Sequence, residues 1–307
     1  METWLNLISL TLGKATPLLL AGFGGLISEL SGVINFALEG MMLMGAFAAV
    51  WVTYATGSPW LGLLGGMAGG MSIGLLHGVT TLKLRANWIV SSIALNLLAA
   101  GLTGMLLNQV FQVYGMSPSV QGLPSFGKVI SAISGSLGVG EGQEHFARGM
   151  SVLTLLAPVL GLLFVGFFKG STWGLHIRAC GENPLGASAA GLSVFRIRFF
   201  SVLASGALAG MGGAYLSIGE LSQFVENMSH GRGYLAIAAL ILGRWRPAGV
   251  LCAALFFGLS EALSEWMAVR WSYLPHQVFL AFPYLICFVV LMTHMGGRQP
   301  PSSLGRL

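Results

Sequence analysis

Runs of uncharged, mostly apolar residues about as long as a bilayer core is thick recur along this whole chain, and no other property narrows its fold as much. A helix crossing hydrocarbon needs about 20 such residues. Measured against that length, the sequence places spans near Leu5 to Ile27, Phe36 to Tyr54, Trp60 to Leu82, Trp88 to Phe111, Ser151 to Phe168, Phe199 to Ile218, Gly233 to Leu242, Ala248 to Trp266 and Gln277 to Thr293. The seventh run is too short to cross unaided. It is tilted, extended by the turn His230-Gly231-Arg232, or a half-helix of the kind transporters keep at midplane. Only 8% of residues are charged, against roughly 25% in a soluble domain. The expectation is a single all-α polytopic membrane domain over residues 1–307, with about nine transmembrane helices, eight at fewest and ten at most.

Charge orients the spans. The chain carries 15 Lys and Arg against 10 acidic residues, every one a Glu. On a soluble protein a net charge of +5 would suggest nucleic acid. In a membrane protein the sidedness of Lys and Arg sets orientation instead, and no nucleic-acid partner is expected. With the polar loop 174–198 taken as cytoplasmic, alternation puts Lys83, Arg85, Lys169, Arg178, Arg196, Arg198, Arg244, Arg246, Arg298 and Arg306 on that side. Lys128, Arg148, Arg232 and Arg270 fall outside with Glu2, Glu141, Glu144, Glu220 and Glu226, and Lys14 falls within a span. This asymmetry predicts the N-terminus out, the C-terminus in, and residues 112–149 as an extracytoplasmic loop. A re-entrant seventh segment would move Arg244 and Arg246 outside, against the same rule. Cys180, Cys252 and Cys287 have no metal or redox spacing. The latter two read as small apolar span residues and Cys180 as a free thiol. The N-terminus lacks a basic n-region and a cleavage site, so it reads as a first span rather than a cleaved signal.

Loop 174–198, GLHIRACGENPLGASAAGLSVFRIR, is a polar island between two apolar runs. Asn183 can cap a helix that Pro184 begins, since Pro at the first helical position gives up no needed N–H. The short helix that follows, Leu185 to Leu192, is built from Ala187, Ser188, Ala189, Ala190 and Gly191, small enough for another backbone to approach closely. A second small-residue pattern lies in the third span, where Gly62, Gly66, Gly70, Gly74 and Gly78 form an unbroken stripe at every fourth residue. Such a stripe lets helices pack backbone to backbone. It serves packing within one subunit, a dimer seam or a sliding surface. Gly206, Gly210 and Gly213 form a similar face.

Motifs for chemistry are absent. Gly122-Leu-Pro-Ser-Phe-Gly127-Lys128-Val129 nearly matches a phosphate-cradling loop, but Val129 replaces the magnesium-holding Ser or Thr and no strand and helix flank it. Gly138, Gly140 and Gly142 lack the context of a dinucleotide site. No HExxH or carboxylate–histidine cluster occurs, so the chain reads as neither an enzyme nor a metal or cofactor binder. Ionisable groups within spans are then the functional candidates, because charge in hydrocarbon is costly. They are Lys14, Glu39 with Asn35 four residues before it, His77 and Glu261. For Lys14, snorkelling or an internal partner competes with substrate contact. Ser91, Ser92 and Asn96 make a polar stripe on the fourth span. With Asn35 and Glu39 they suit a pathway for a neutral, hydrogen-bonding solute, and helix-to-helix bonding explains the stripe equally well.

Two stretches carry a resemblance. ISELSGVINFALEGMMLMGAF (Ile27 to Phe47) and GENPLGASAAGLSV (Gly181 to Val194) are similar to inner-membrane permease subunits of ATP-binding-cassette importers, in the family serving branched-chain amino acids, simple sugars and nucleosides. The order of spans, the long outer loop and the segment from Gly233 fit as well, and SGVINFALEGMM most resembles the nucleoside branch. The resemblance implies a bacterial cytoplasmic membrane and a coupling helix formed by Glu182, Asn183, Pro184, Leu185, Gly186, Ala187, Ser188, Ala189, Ala190, Gly191 and Leu192, seated on a cytoplasmic ATPase that binds ATP and magnesium. It also implies a second, related permease and an external substrate-binding lipoprotein. Residues 112–149 and 220–232 are the docking candidates for that lipoprotein.

Overall fold

The computed structural model describes residues 2–125, 150–270, 276–293 and 300–305. The expectations resting on Lys128, Val129, Gly138, Gly140, Gly142, Glu141, Glu144, Arg148, Arg298 and Arg306 lie outside the described residues. Eleven α-helices are described: α1 Glu2–Leu30, α2 Leu38–Thr56, α3 Pro59–Gly78, α4 Trp88–Phe111, α5 Val152–Gly170, α6 Thr172–Glu182, α7 Pro184–Ala189, α8 Val194–Ala214, α9 Arg232–Leu242, α10 Pro247–Arg270 and α11 His276–Thr293. Wider turns extend α3 over Val79–Lys83 and α8 over Tyr215–Leu221. Among the described residues, seven helices are long and apolar enough to cross a membrane. Helix α9 has 11 residues and is therefore about 16 Å long, half a bilayer core. No strand is formed among the described residues, only isolated bridges.

Helices α1, α2 and α8 make the centre, where Leu18, Leu19, Phe23, Met41, Met42 and Phe47 are fully or almost fully buried. The glycine stripe of α3 faces inward, onto α2 at one end and α8 over the rest. A Cβ on Gly62 would strike Thr53, one on Gly66 would lie 2.7 Å from Ala214 Cβ, and one on Gly78 would lie 3.2 Å from the Phe199 ring. At the middle of the stripe a Cβ on Gly70 would collide with the Gly206 carbonyl and lie 2.6 Å from Gly210 Cα. The two small-residue faces thus meet each other, gaining dispersion contacts in a medium that offers no hydrophobic drive.

The second span differs from its expected form. Helix α2 starts at Leu38, and residues 31–37 are turn and extended chain rather than helix. Asn35 is therefore not one helical turn from Glu39. Gly32, with φ of 97°, turns the chain after α1, and the Asn35 side chain accepts a hydrogen bond from the Ala37 N–H at 3.1 Å, replacing a helical partner. The island also holds two helices where one is expected: α6, ending at Glu182, then α7. Helix α7 stops at Ala189 because Gly191 takes a left-handed φ of 84°.

Replacing Gly70 with Leu should force α3 and α8 apart and cost about 1–3 kcal/mol or more. Gly101, which has nothing within 4 Å of an added Cβ, should accept Ala with no loss of melting temperature in detergent. Equal melting of both variants would sink the packing assignment.

Candidate functional site

Residues 31–37 put irregular backbone inside the bundle, where each N–H and C=O needs a partner. The end of α1 and Gly305 partner residues 31–33, and three other helices hold the rest of the segment. His77 of α3 bonds the Ile34 carbonyl at 3.0 Å through Nε2 and contacts Ser91 Oγ at 3.2 Å through Nδ1. Asn96 of α4 donates to the Phe36 carbonyl and to Tyr234 Oη, at 2.9 and 3.0 Å, and accepts from the Gly40 N–H at 2.9 Å. Asn35 donates to Ser205 Oγ of α8 at 2.8 Å. The Glu39 carboxylate accepts the N–H groups of Gly231 and Gly233, both at 2.7 Å, and so occupies the N-terminus of α9. Four of the five proposed pathway residues (Asn35, Glu39, Ser91 and Asn96) thus converge on one seam. The fifth, Ser92, is fully buried with no partner for its hydroxyl among the described residues.

Helix α8 holds the non-helical link at two points. Arg198 Nε donates to the Ser31 carbonyl at 3.0 Å, while Ser205, seven residues later, holds Asn35. Sequence reasoning missed Ser205 and Tyr234 because each is one ordinary polar residue in an apolar run, with its partner far along the chain. Tyr234 and Tyr284 are half exposed beside the seam, and Tyr284 Oη donates to the His230 carbonyl.

Ion pairs close the other ionisable groups. Lys14 Nζ lies 2.9 Å from Glu220 and 3.1 Å from Glu265, and Arg232 lies 3.5 Å from Glu261. Lys14 therefore has internal partners, tying α1 to the extension of α8 and to α10. Among the described residues no group of three His, Cys, Asp or Glu could hold a metal. A cavity of about 910 Å³ is walled mainly by apolar groups such as Phe164, Phe167, Trp173 and Phe200 and contains none of the seam residues.

At the end of the bundle that holds α6 and α7, Asn183 Oδ1 accepts the Gly186 N–H at 2.9 Å, capping α7. Ala187 is buried, whereas Leu185 is 83% exposed, a large apolar side chain on the outside of a polar segment. Residues 300–305 lie against this region. Ser302 Oγ donates to Glu182 at 2.6 Å, the Ser303 N–H donates to the Gly181 carbonyl, and Arg198 Nη2 donates to Ser303 Oγ at 3.2 Å. The Gly305 N–H donates to the Gly32 carbonyl and its own carbonyl accepts from Trp88 Nε1. Cys180 is fully buried beneath these contacts. Burial pushes its thiol up, against the opposing pull of Arg198. At the far end, residues 115–123 run along 218–226 through backbone bonds such as Ser117 N–H to Phe224 O and Val120 N–H to Ser222 O.

Residues 7–291 match the family described as the permease component of branched-chain amino acid transport systems. The chain belongs to this family, whose members are multi-pass membrane transport components. It is 32% identical to the guanosine ABC transporter permease protein NupQ of Bacillus subtilis (strain 168), over 97% of this chain and 95% of that one. It is 32% identical to the nucleoside ABC transporter permease protein NupC of Lactococcus lactis subsp. cremoris (strain MG1363), over 95% and 92%. To TsgC13 of Haloferax volcanii, provisionally named a glucose ABC transporter permease protein, it is 37% identical over 84% and 76%.

In a chain whose other cysteines are replaced by Ser, deleting residues 300–307 should uncover Cys180 and bring its pKa back toward the ordinary value. Both changes raise the thiolate fraction available at neutral pH, so maleimide labelling in detergent should accelerate. An unchanged rate would mean that the segment does not cover this thiol.

Proposed function

We propose that this chain forms half of the translocation pathway for a nucleoside in an ATP-driven importer of a bacterial cytoplasmic membrane. The observation that carries the reading is the break between helices at residues 31–37, which Asn35, Glu39 and Asn96 hold through internal bonds, with the half-exposed rings of Tyr234 and Tyr284 beside it. A neutral solute with hydroxyls and ring nitrogens needs hydrogen-bonding groups at fixed positions and an aromatic face to stack on. The likeness to the guanosine and nucleoside permeases supports the same cargo. A simple sugar is the second reading, favoured by the likeness to TsgC13; a branched-chain amino acid would fit the family description.

Residues 182–192 act as the coupling segment, seated on a separate ATPase subunit that binds ATP and magnesium, with the Leu185 side chain as the contact. The charge distribution supports placing this end in the cytoplasm, with the N-terminus outside. Closure of the ATPase pair moves α7 as a rigid peg. Helix α8, which follows at once, carries the motion to Ser31 and Asn35 of the link through Arg198 and Ser205. The half-exposed face formed by Tyr234 and Tyr284 then meets a second, related permease across the pathway. The paired segments 115–123 and 218–226 form the outer platform for a substrate-binding lipoprotein.

In proteoliposomes containing the partner subunits, Leu185→Asp and Ala189→Trp should each abolish ATP-driven uptake and ATPase association with insertion intact. Normal uptake in both would remove the coupling assignment. Unlabelled adenosine should compete with guanosine uptake while ribose and leucine do not; competition by ribose alone would transfer the chain to sugar transport. Tyr234→Ala should raise the KM for guanosine about tenfold, since loss of a stacking ring costs about 1–3 kcal/mol. Tyr234→Phe, which keeps the ring, should change it far less.

A further inference from the structure

Residues 300–305 bond to four elements at or near their ends. The last carbonyls of a helix have no partner within it, and at the end of α6 this segment supplies one: the Ser303 N–H donates to the Gly181 carbonyl at 3.0 Å, and Ser303 Oγ donates to the same oxygen. Two residues on, the Gly305 N–H donates to the Gly32 carbonyl at 3.0 Å, at the turn where the chain leaves α1. The Gly305 carbonyl accepts from Nε1 of Trp88, the first residue of α4, at 3.1 Å. Arg198 of α8 is buried against the same turn, with Nη2 donating to Ser303 Oγ at 3.2 Å and Nε to the Ser31 carbonyl at 3.0 Å. Backbone meets backbone at the centre. A Cβ on Gly181 would strike the Leu30 carbonyl, and one on Gly32 would lie 2.8 Å from Arg198 Nη2 and 3.2 Å from Ser303 Oγ.

The spacing between these attachments is stiff. The turn that carries Ser303 and Gly305 closes on itself through the Leu304 N–H to the Pro301 carbonyl at 2.9 Å, and Pro300 and Pro301 fix φ where the chain enters it. Glu182 alone separates Gly181 from Asn183, the cap of α7. A displacement of that end of α6 must therefore carry Gly32 with it, or strip buried donors and acceptors of partners at a cost larger than the bonds themselves contribute. We propose, on the reading of residues 182–192 as the coupling segment, that residues 302–305 are the joint that passes movement of that segment to the link 31–37 and to the start of α4. Helix α8 reaches the link through Arg198 and Ser205. The joint adds an attachment at Gly32 and, through Trp88, one to the helix that carries Ser91 and Asn96. A plain cap for α6 would engage Gly181 and stop there; attachment to Gly32 and Trp88 as well is what makes this turn a joint.

The test measures solute taken up per ATP hydrolysed by the full chain assembled with its partner subunits in proteoliposomes, with whichever of guanosine and ribose the parent transports. Ser303→Ala combined with Trp88→Phe removes the side-chain bonds of the joint and keeps its backbone and an aromatic ring. That variant should retain the ATPase and hydrolyse ATP as the parent does, while uptake per ATP falls about tenfold, within the usual range of coupling between two sites. Deleting residues 300–307 should lower the ratio at least as far; where that chain fails to insert, the double substitution decides alone. A parental ratio in the double variant would overturn the proposal. Equal falls in hydrolysis and uptake would overturn it too, because the segment would then support the seating of the ATPase and transmit nothing. Leu185→Asp separates the joint from the coupling assignment. Uptake by that variant removes the coupling segment itself, whereas loss of uptake there with a parental ratio in the joint variant removes the joint alone.

Discussion

Backbone amides and carbonyls cannot go unsatisfied in hydrocarbon, and the rest of this structure depends on how the chain meets that demand at residues 31–37. An unbroken helix would have met it locally. Here the chain instead borrows His77, Asn96 and Arg198 from three other helices. Those helices are thereby fixed relative to one another by polar contacts that lose their partners if the helices separate. Removing one partner leaves a buried group bare, which costs more than the bond itself contributes.

Close approach of α3 to α8 makes this possible. A polar side chain reaches only a few ångströms, so His77 meets Ile34 only if α3 lies against the central helices. The glycines at 66, 70 and 74 remove the side chains that would otherwise hold α3 away. Packing and polar satisfaction are therefore coupled: the glycines contribute little energy individually, but they set the distance at which the hydrogen bonds form.

Much of this was visible in the residues before any coordinates. Bilayer-length runs locate the long helices, the period of four in α3 marks a packing face, and Asn183-Pro184 marks the start of α7. The break before α2 was not, for a physical reason. SGVINFA carries no charge and is mostly apolar, and hydropathy measures side-chain transfer, not whether the backbone is helical. What opens the helix is a set of partners 43 to 170 positions away in sequence, invisible to any local window. The same holds for the contacts of residues 300–305, whose partners in α6 lie more than a hundred residues back. The polar stripe of α4 was legible as a stripe. Its role was not, because a group that lines a path and a group that bonds a neighbouring helix have the same chemistry until the neighbour is seen.

The Glu39 carboxylate on Gly231 and Gly233 settles the electrostatic character of the short helix α9. A helix N-terminus pointing into a bundle is otherwise a seat for anions, carrying about half a positive charge. This one is filled by the protein's own side chain, so the scaffold attracts no anion at that level and stays neutral toward an uncharged cargo. One residue thus sets the electrostatics at this end of α9. Within the same architecture, a neutral residue at position 39 would leave two amide donors and the positive end of the helix without an anion.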